Sequence, residues 1–237
     1  MIPIRITEGI ELVETERKGI AKARVINQQS KEDLSWDRFV RLNAVAELIR
    51  VRHPVTKKIL DVGGFDGALA FFLPDHDIEI LDPATTGGSI LSMPADDREY
   101  DLVVAIDLLE HIEPKSRNKA LEELARACKN HLILNYPRQE SRNSQKLVLE
   151  LTQNSLIKEH VEWELPNTAK VLETLHLFGF RGSHQSHTSI ATWMGQYLLL
   201  NFLPEQSKPF NRHLNKYFTA ESSTAYLYDL VSCERFS

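Results

Sequence analysis

The feature that most constrains this chain is the run Lys58-Ile-Leu-Asp-Val62 leading straight into Gly63-Gly64-Phe65-Asp66-Gly67. A short, nearly continuous apolar run suits a strand buried on both faces, and the glycines behind it permit a tight turn with positive φ. A helix is predicted to begin near Ala68 and to end before Pro74, so that its unpaired N–H groups face the turn. Two more apolar runs, Ile78–Leu81 and Asp101–Ile106, each end in a carboxylate, Asp82 and Asp107. Strand tips carrying acids beside a glycine turn are where open α/β sheets bind ligands.

The alternation continues downstream. Pro114 opens a helix predicted to run to about Lys129, and His131–Tyr136 reads as the next strand. Asn167 can cap a helix that Gly179 closes, Phe180 returns to the sheet, and Ala225–Cys233 reads as the final strand. Upstream, apolar residues from Ser30 to His53 recur at helical spacing and stop at Pro54. The whole is one α/β domain: an N-terminal helical cap over 1–55, a core over 56–190, an inserted helical segment over 191–223 and a last strand over 224–237. The inserted segment carries Trp193, Tyr197, Leu198 and Phe202 at near-helical spacing. That spacing suits packing onto the domain, with a homodimer or a peripheral membrane contact through the 191–203 helix as the other uses of such a face.

Composition excludes several classes. A formal charge of -5, with both signs scattered, lacks the basic stripe that extended nucleic acid requires. The two cysteines, Cys128 and Cys233, form no CxxC pair, which argues against a disulfide framework or structural zinc and suits a reducing, cytoplasmic setting. Charges interrupt the first twenty residues, which reads against a signal peptide, and the longest apolar stretch falls short of the ~20 residues of a transmembrane helix.

The spacing between the glycine turn and Asp82, about twenty residues, fits a carboxylate that accepts the hydroxyls of an adenosine ribose. The turn does not match GxGxxG, the pattern that rests a pyrophosphate on a helix terminus. Acids at the turn suit a cationic nucleoside better, and S-adenosylmethionine carries both an ammonium and a sulfonium. Here the chain resembles the class I methyltransferases, specifically their type 11, small-molecule branch, from about Lys58 to Phe180. The segment Tyr100-Asp-Leu-Val-Val-Ala-Ile-Asp-Leu-Leu-Glu-His-Ile-Glu-Pro114 carries the most specific part of that resemblance.

The resemblance implies a doubly wound, mostly parallel, seven-stranded Rossmann-like sheet and S-adenosylmethionine as cofactor. It places Asp61, Gly63, Gly64, Gly67, Asp82, Ser89, Ile90 and Asp107 at the cofactor. Phe65 stands where the family has its middle glycine, and Ser89 where it has the acid that receives the adenine amino group. Only six residues separate Asp82 from Ser89, so the helix that usually links those strands is expected to be a loop.

His111, just past Asp107, and His160, in a segment that in relatives closes over the acceptor, are the expected catalytic residues, a neutral imidazole being able to take an acceptor's proton. The acceptor is expected to be a small molecule or a saccharide, free or lipid-linked. Asp107, Glu110, His111 and His160 also resemble the magnesium site of small-RNA 2'-O-methyltransferases. Since Glu-His pairs are widespread in methyltransferases without a metal, no metal is expected. A metal-assisted RNA 2'-O-methyltransferase and a catalytically silent cofactor-binding scaffold stand as the rival readings.

Overall fold

The computed structural model describes residues 7–218 and 223–236; residues 1–6 of the expected N-terminal cap, 219–222 of the inserted segment and 237 of the last strand lie outside the described residues. Eight strands form one sheet: β1 (Ile10–Glu14), β2 (Ala21–Val25), β3 (Lys58–Val62), β4 (Asp77–Leu81), β5 (Tyr100–Ile106), β6 (Cys128–Pro137), β7 (Phe180–Ser189) and β8 (Tyr226–Arg235). Their order across the sheet is β1-β2-β4-β3-β5-β6-β8-β7. The centre, β4-β3-β5-β6, is parallel, with Ile59 opposite both Ile78 and Leu102. Both flanks are antiparallel.

Period-two alternation along the central strands divides the core into two layers. Leu60, Val62, Val103, Ala105, Leu132 and Leu134 face one side, covered by α2 (Arg117–Ala127) and α5 (Thr168–Leu177). Ile59, Leu102, Val104 and Ile133 face the other, covered by α1 (Trp36–Arg52). Asn167 caps α5 through the N–H of Lys170, as its position suggests, and Gly179 follows with φ 84°. The helix expected after the glycine turn is a short 3-10 helix, Ala68–Phe71.

The sheet has one strand more than the seven expected, and the difference lies at one edge. The helix read over Ser30–His53 is present as α1, but the hairpin β1–β2 precedes it where only helix is expected. Interleaved acids and bases obscure its strand alternation; in β1 it is Ile10 and Leu12 that turn inward. In a doubly wound sheet the position beside β4 goes to a parallel strand reached by a crossover helix. Here β2 takes it in antiparallel sense, pairing Ala21 with Ile80 and Lys22 with Glu79. The chain from Asp82 to Glu99 contains no helix, as expected from its length and its Pro83, Gly87, Gly88 and Pro94. The Thr86 hydroxyl at 2.7 Å from the Gly19 carbonyl ties this loop to the hairpin turn.

At the opposite flank the inserted segment forms two helices, α6 (Ile190–Phe202) and α7 (Pro204–Tyr217), where one is expected. With α3 (Arg142–Thr152) and α4 (Ser155–Glu162) they enclose a third apolar cluster around Trp36, Val40, Trp193, Leu214 and Tyr228. Trp36 is fully buried and its indole N–H donates to the Phe218 carbonyl at 2.9 Å. Trp36→Ala is therefore expected to cost about 3 to 5 kcal/mol. Thermal unfolding should register this as a fall in Tm of about 10 °C, with Trp36→Phe losing clearly less.

Candidate active site

Strands β3, β4 and β5 end side by side, and their last residues and the turns that follow bring Asp61, Gly63, Gly64, Gly67, Asp82 and Asp107 to one edge. Asp61 lies under the glycine turn, 2 % exposed, and its Oδ1 has no hydrogen-bond partner. A Cβ on Gly64 would stand 2.6 Å from Asp61 Oδ2, so only glycine lets the turn close over this carboxyl. Burial pushes the Asp61 carboxyl up to about 7; Arg38 pulls it down, while Asp66 and Asp82 add to the rise. Phe65, at the position of the family's middle glycine, takes the left-handed conformation itself with φ 48°. The Thr85 hydroxyl donates to the Phe65 carbonyl at 2.6 Å and holds it there.

Asp82 is also buried. Its Oδ1 accepts from the N–H groups of Ala84 and Thr85, at 2.9 and 3.2 Å, and among the described residues no side-chain hydrogen bond engages its Oδ2. Ser89 and Ile90 lie in the following loop, where the Ser89 hydroxyl accepts from the Leu91 N–H and the Ile90 side chain packs in the core with Leu81 and Met93. Asp107 takes φ 52° and forms an ion pair with Arg41, which also pairs with Asp37 at 3.0 Å. Arg38, nearly one turn earlier on α1, pairs with both oxygens of Asp66 and helps hold that carboxyl below its usual range against the cost of burial.

Beyond Asp107 the chain turns through a 3-10 helix, Leu109–His111, and brings His111 against α4. His111 Nε2 stands 3.2 Å from His160 Nε2. The opposite ring nitrogens are also engaged: His111 Nδ1 meets Glu159 Oε2 at 2.6 Å, and His160 Nδ1 meets Gln145 Oε1 at 2.7 Å. Burial, with His111 and Arg41 nearby, drives the His160 pKa down to about 3. Glu110 is fully buried with neither oxygen hydrogen-bonded, and burial pushes its carboxyl up. A cavity of about 110 Å³ opens here between α1, α4, α6 and β8, walled by Arg41, His111, His160, Trp193, Tyr197 and Tyr228.

The structure thus brings the two sequence-predicted histidines together and sets them beside the acid-lined strand edge. Sequence reasoning missed Arg38, Arg41, Gln145 and Glu159. The arginines were legible as a pair three apart on one helix face. Nothing local to Gln145 or Glu159 pointed to the cluster.

The family described as a methyltransferase domain matches residues 74–134, which span β4, β5, α2 and most of β6. The fold is similar to a provisionally assigned sarcosine dimethylglycine methyltransferase from Galdieria sulphuraria, with TM-score 0.53 and 15 % identity over 82 % of this chain and 85 % of that one. It is also similar to magnesium protoporphyrin IX methyltransferase from Synechocystis with bound S-adenosylhomocysteine, with TM-score 0.51 and 11 % identity over 90 % of each chain. Residues 74–134 thus carry the match to the methyltransferase-domain family, and the fold built around them is the one these methyltransferases share. A S-adenosylmethionine-dependent methyltransferase from Thermotoga maritima, a candidate histamine N-methyltransferase, is similar at TM-score 0.51 and 12 % identity over 85 % of this chain and 91 % of that one. No curated protein matches the sequence.

The protein carries a stability cost at Asp61. With its carboxyl near 7 in the folded protein, Asp61 keeps a proton that the unfolded chain loses near pH 4, so this group's share of stability falls as pH rises from about 4 to about 7 and stays lost above. Asp61→Asn removes that loss. The ligand-free variant is expected to melt above the wild type at pH 8, by on the order of 1 kcal/mol or more, and near it at pH 4. Melting curves at the two pH values check the sign.

Proposed function

We propose that this protein is an S-adenosylmethionine-dependent methyltransferase acting on a small-molecule acceptor whose reacting end enters the cavity between α1, α4, α6 and β8, with the cofactor held across the tips of β3, β4 and β5. One observation carries the cofactor half of the reading: Asp61 is a buried carboxyl with an unpartnered oxygen beneath a glycine turn, which a cationic ligand would satisfy. When bound, S-adenosylmethionine supplies a methyl group made electrophilic by its sulfonium.

The chain's own residues divide the remaining work. Gly63, Gly64 and Gly67 let the backbone come close, and Gly67, with φ 77° and a would-be Cβ 2.6 Å from Ala23 Cβ, tolerates no side chain. Asp82 keeps Oδ2 for the ribose hydroxyls, while the loop at Ser89 and Ile90 offers its polar backbone to the adenine. Asp107 contributes with Arg41 attached, so it acts by fixing the edge of the site more than by binding alone. Positioning dominates such chemistry, because good alignment can remove about 7 to 11 kcal/mol of barrier. On the acceptor side, His160 holds a proton too weakly at about 3 to serve as a general base near neutrality, which leaves His111 to receive one.

The cavity's size supports the small-molecule reading. A space of about 110 Å³ roofed by helices admits the few heavy atoms of an acceptor's reacting end. Calorimetric titration with S-adenosylhomocysteine tests the cofactor site. Saturable binding is expected, weakened at least ~10-fold by Asp82→Ala and by Asp61→Asn, the loss of one charge-assisted contact costing about 1.5 to 3 kcal/mol. Wild-type affinity in both variants would refute the assignment.

A further inference from the structure

Glu110, His111 and His160 form a more elaborate arrangement than taking one proton requires. Each Nδ1 faces an acceptor, the Glu159 carboxylate for His111 and the Gln145 amide oxygen for His160. An imidazole that donates from Nδ1 carries a lone pair on Nε2 when it is neutral. The two Nε2 atoms nevertheless face one another at 3.2 Å. Two lone pairs at that distance repel unless a cation lies between or in front of them. Glu110 adds a fully buried carboxylate with two unpartnered oxygens, and one ligand atom from each of the three residues lies within 4.8 Å of the others. The nearest positive charges, Arg41 and Arg117, make no hydrogen bond to Glu110: Arg41 is engaged by Asp37 and Asp107, and Arg117 donates to the Leu109 and Ile112 carbonyls.

We infer that Glu110, His111 and His160 form a two-histidine, one-carboxylate site for a borderline divalent cation of the zinc class. The separation of the nitrogens fits one ion: with metal–nitrogen distances of about 2.0 to 2.1 Å, two donors 3.2 Å apart subtend roughly 100°, close to tetrahedral. The outer contacts fit as well, since ligating histidines almost always donate their other ring N–H to a carboxylate or carbonyl, which fixes the tautomer. Two imidazoles favour a borderline metal over magnesium or calcium, which prefer all-oxygen shells. The set differs from the four-residue one suggested by the sequence, because Arg41 occupies Asp107.

Three protein ligands leave a coordination position open toward the cavity, where an acceptor hydroxyl or amine can bind and lose its proton more readily. That role rests on the proposed methyl transfer and replaces proton transfer to His111, the acidified acceptor releasing its proton to bulk solvent; the binding of the ion rests on the cluster alone.

The test uses the full chain, stripped with chelator and dialysed, then titrated calorimetrically with zinc chloride and separately with magnesium chloride. One zinc ion per chain is expected, bound at least ~100-fold more tightly than magnesium. Glu110→Gln, which removes only charge, should weaken zinc binding at least ~10-fold, and Glu159→Gln, outside the ligand set, by about 10- to 100-fold. Cobalt(II) substitution gives a second readout, an intense visible absorption in the wild type that zinc displaces. Absence of stoichiometric zinc binding, or wild-type affinity in Glu110→Gln, would overturn the inference; the former would leave a shared proton between the imidazoles, the latter adventitious binding by other histidines. Failure to bind S-adenosylhomocysteine would instead sink the cofactor reading and leave the ion site standing.

Discussion

A surplus of buried negative charge at one edge of the sheet governs this molecule. Asp37, Asp61, Asp66, Asp82, Asp107 and Glu110 are all buried or nearly so at or beside the tips of β3, β4 and β5, and α1 offers them two guanidinium groups, Arg38 and Arg41. Isolated ionised carboxylates are too costly to bury, so the unpaired members shift toward the neutral form until a cation arrives. The upward shifts at Asp61 and Glu110, set against the depressed Asp66 beside its arginine, follow from that imbalance. The helix that supplies the arginines also buries Trp36 and Phe39, so packing and electrostatics hold α1 to one position.

The same imbalance separates the two halves of the site. On the glycine-turn side the open charge lies beneath backbone that a nucleoside can approach. On the far side, past Asp107, it meets imidazoles instead, under a roof made by segments that lie well downstream in the chain. The two kinds of donor suit the two kinds of positive partner proposed above, an organic cation and a metal ion, on either side of the Arg41–Asp107 pair.

Much of this was legible in the amino-acid order. The apolar runs at Lys58–Val62 and Asp101–Ile106, punctuated by glycine or acid, located the central strands because burial on both faces leaves a continuous signature. His111 and His160 were singled out from separate segments and meet in space. What escaped was whatever depends on distant pairing. The alternation of β1 is diluted by exposed acids, and nothing in Thr85 announces that its hydroxyl holds Phe65 in a left-handed turn. Phe65 reads as a lapse from the motif, yet the backbone has kept the conformation a glycine would have supplied.

The hairpin at the sheet edge carries a consequence for how the domain is handled. β4 would otherwise be a bare outer strand, with exposed N–H and C=O groups inviting another chain to dock. Its cover is a pairing of only two residue couples, Ala21 with Ile80 and Lys22 with Glu79, contributed by the opening stretch of the sequence. A shortened version beginning at α1 would keep every acid and histidine discussed above and still leave a sticky seam, so self-association would precede any loss of the ligand sites.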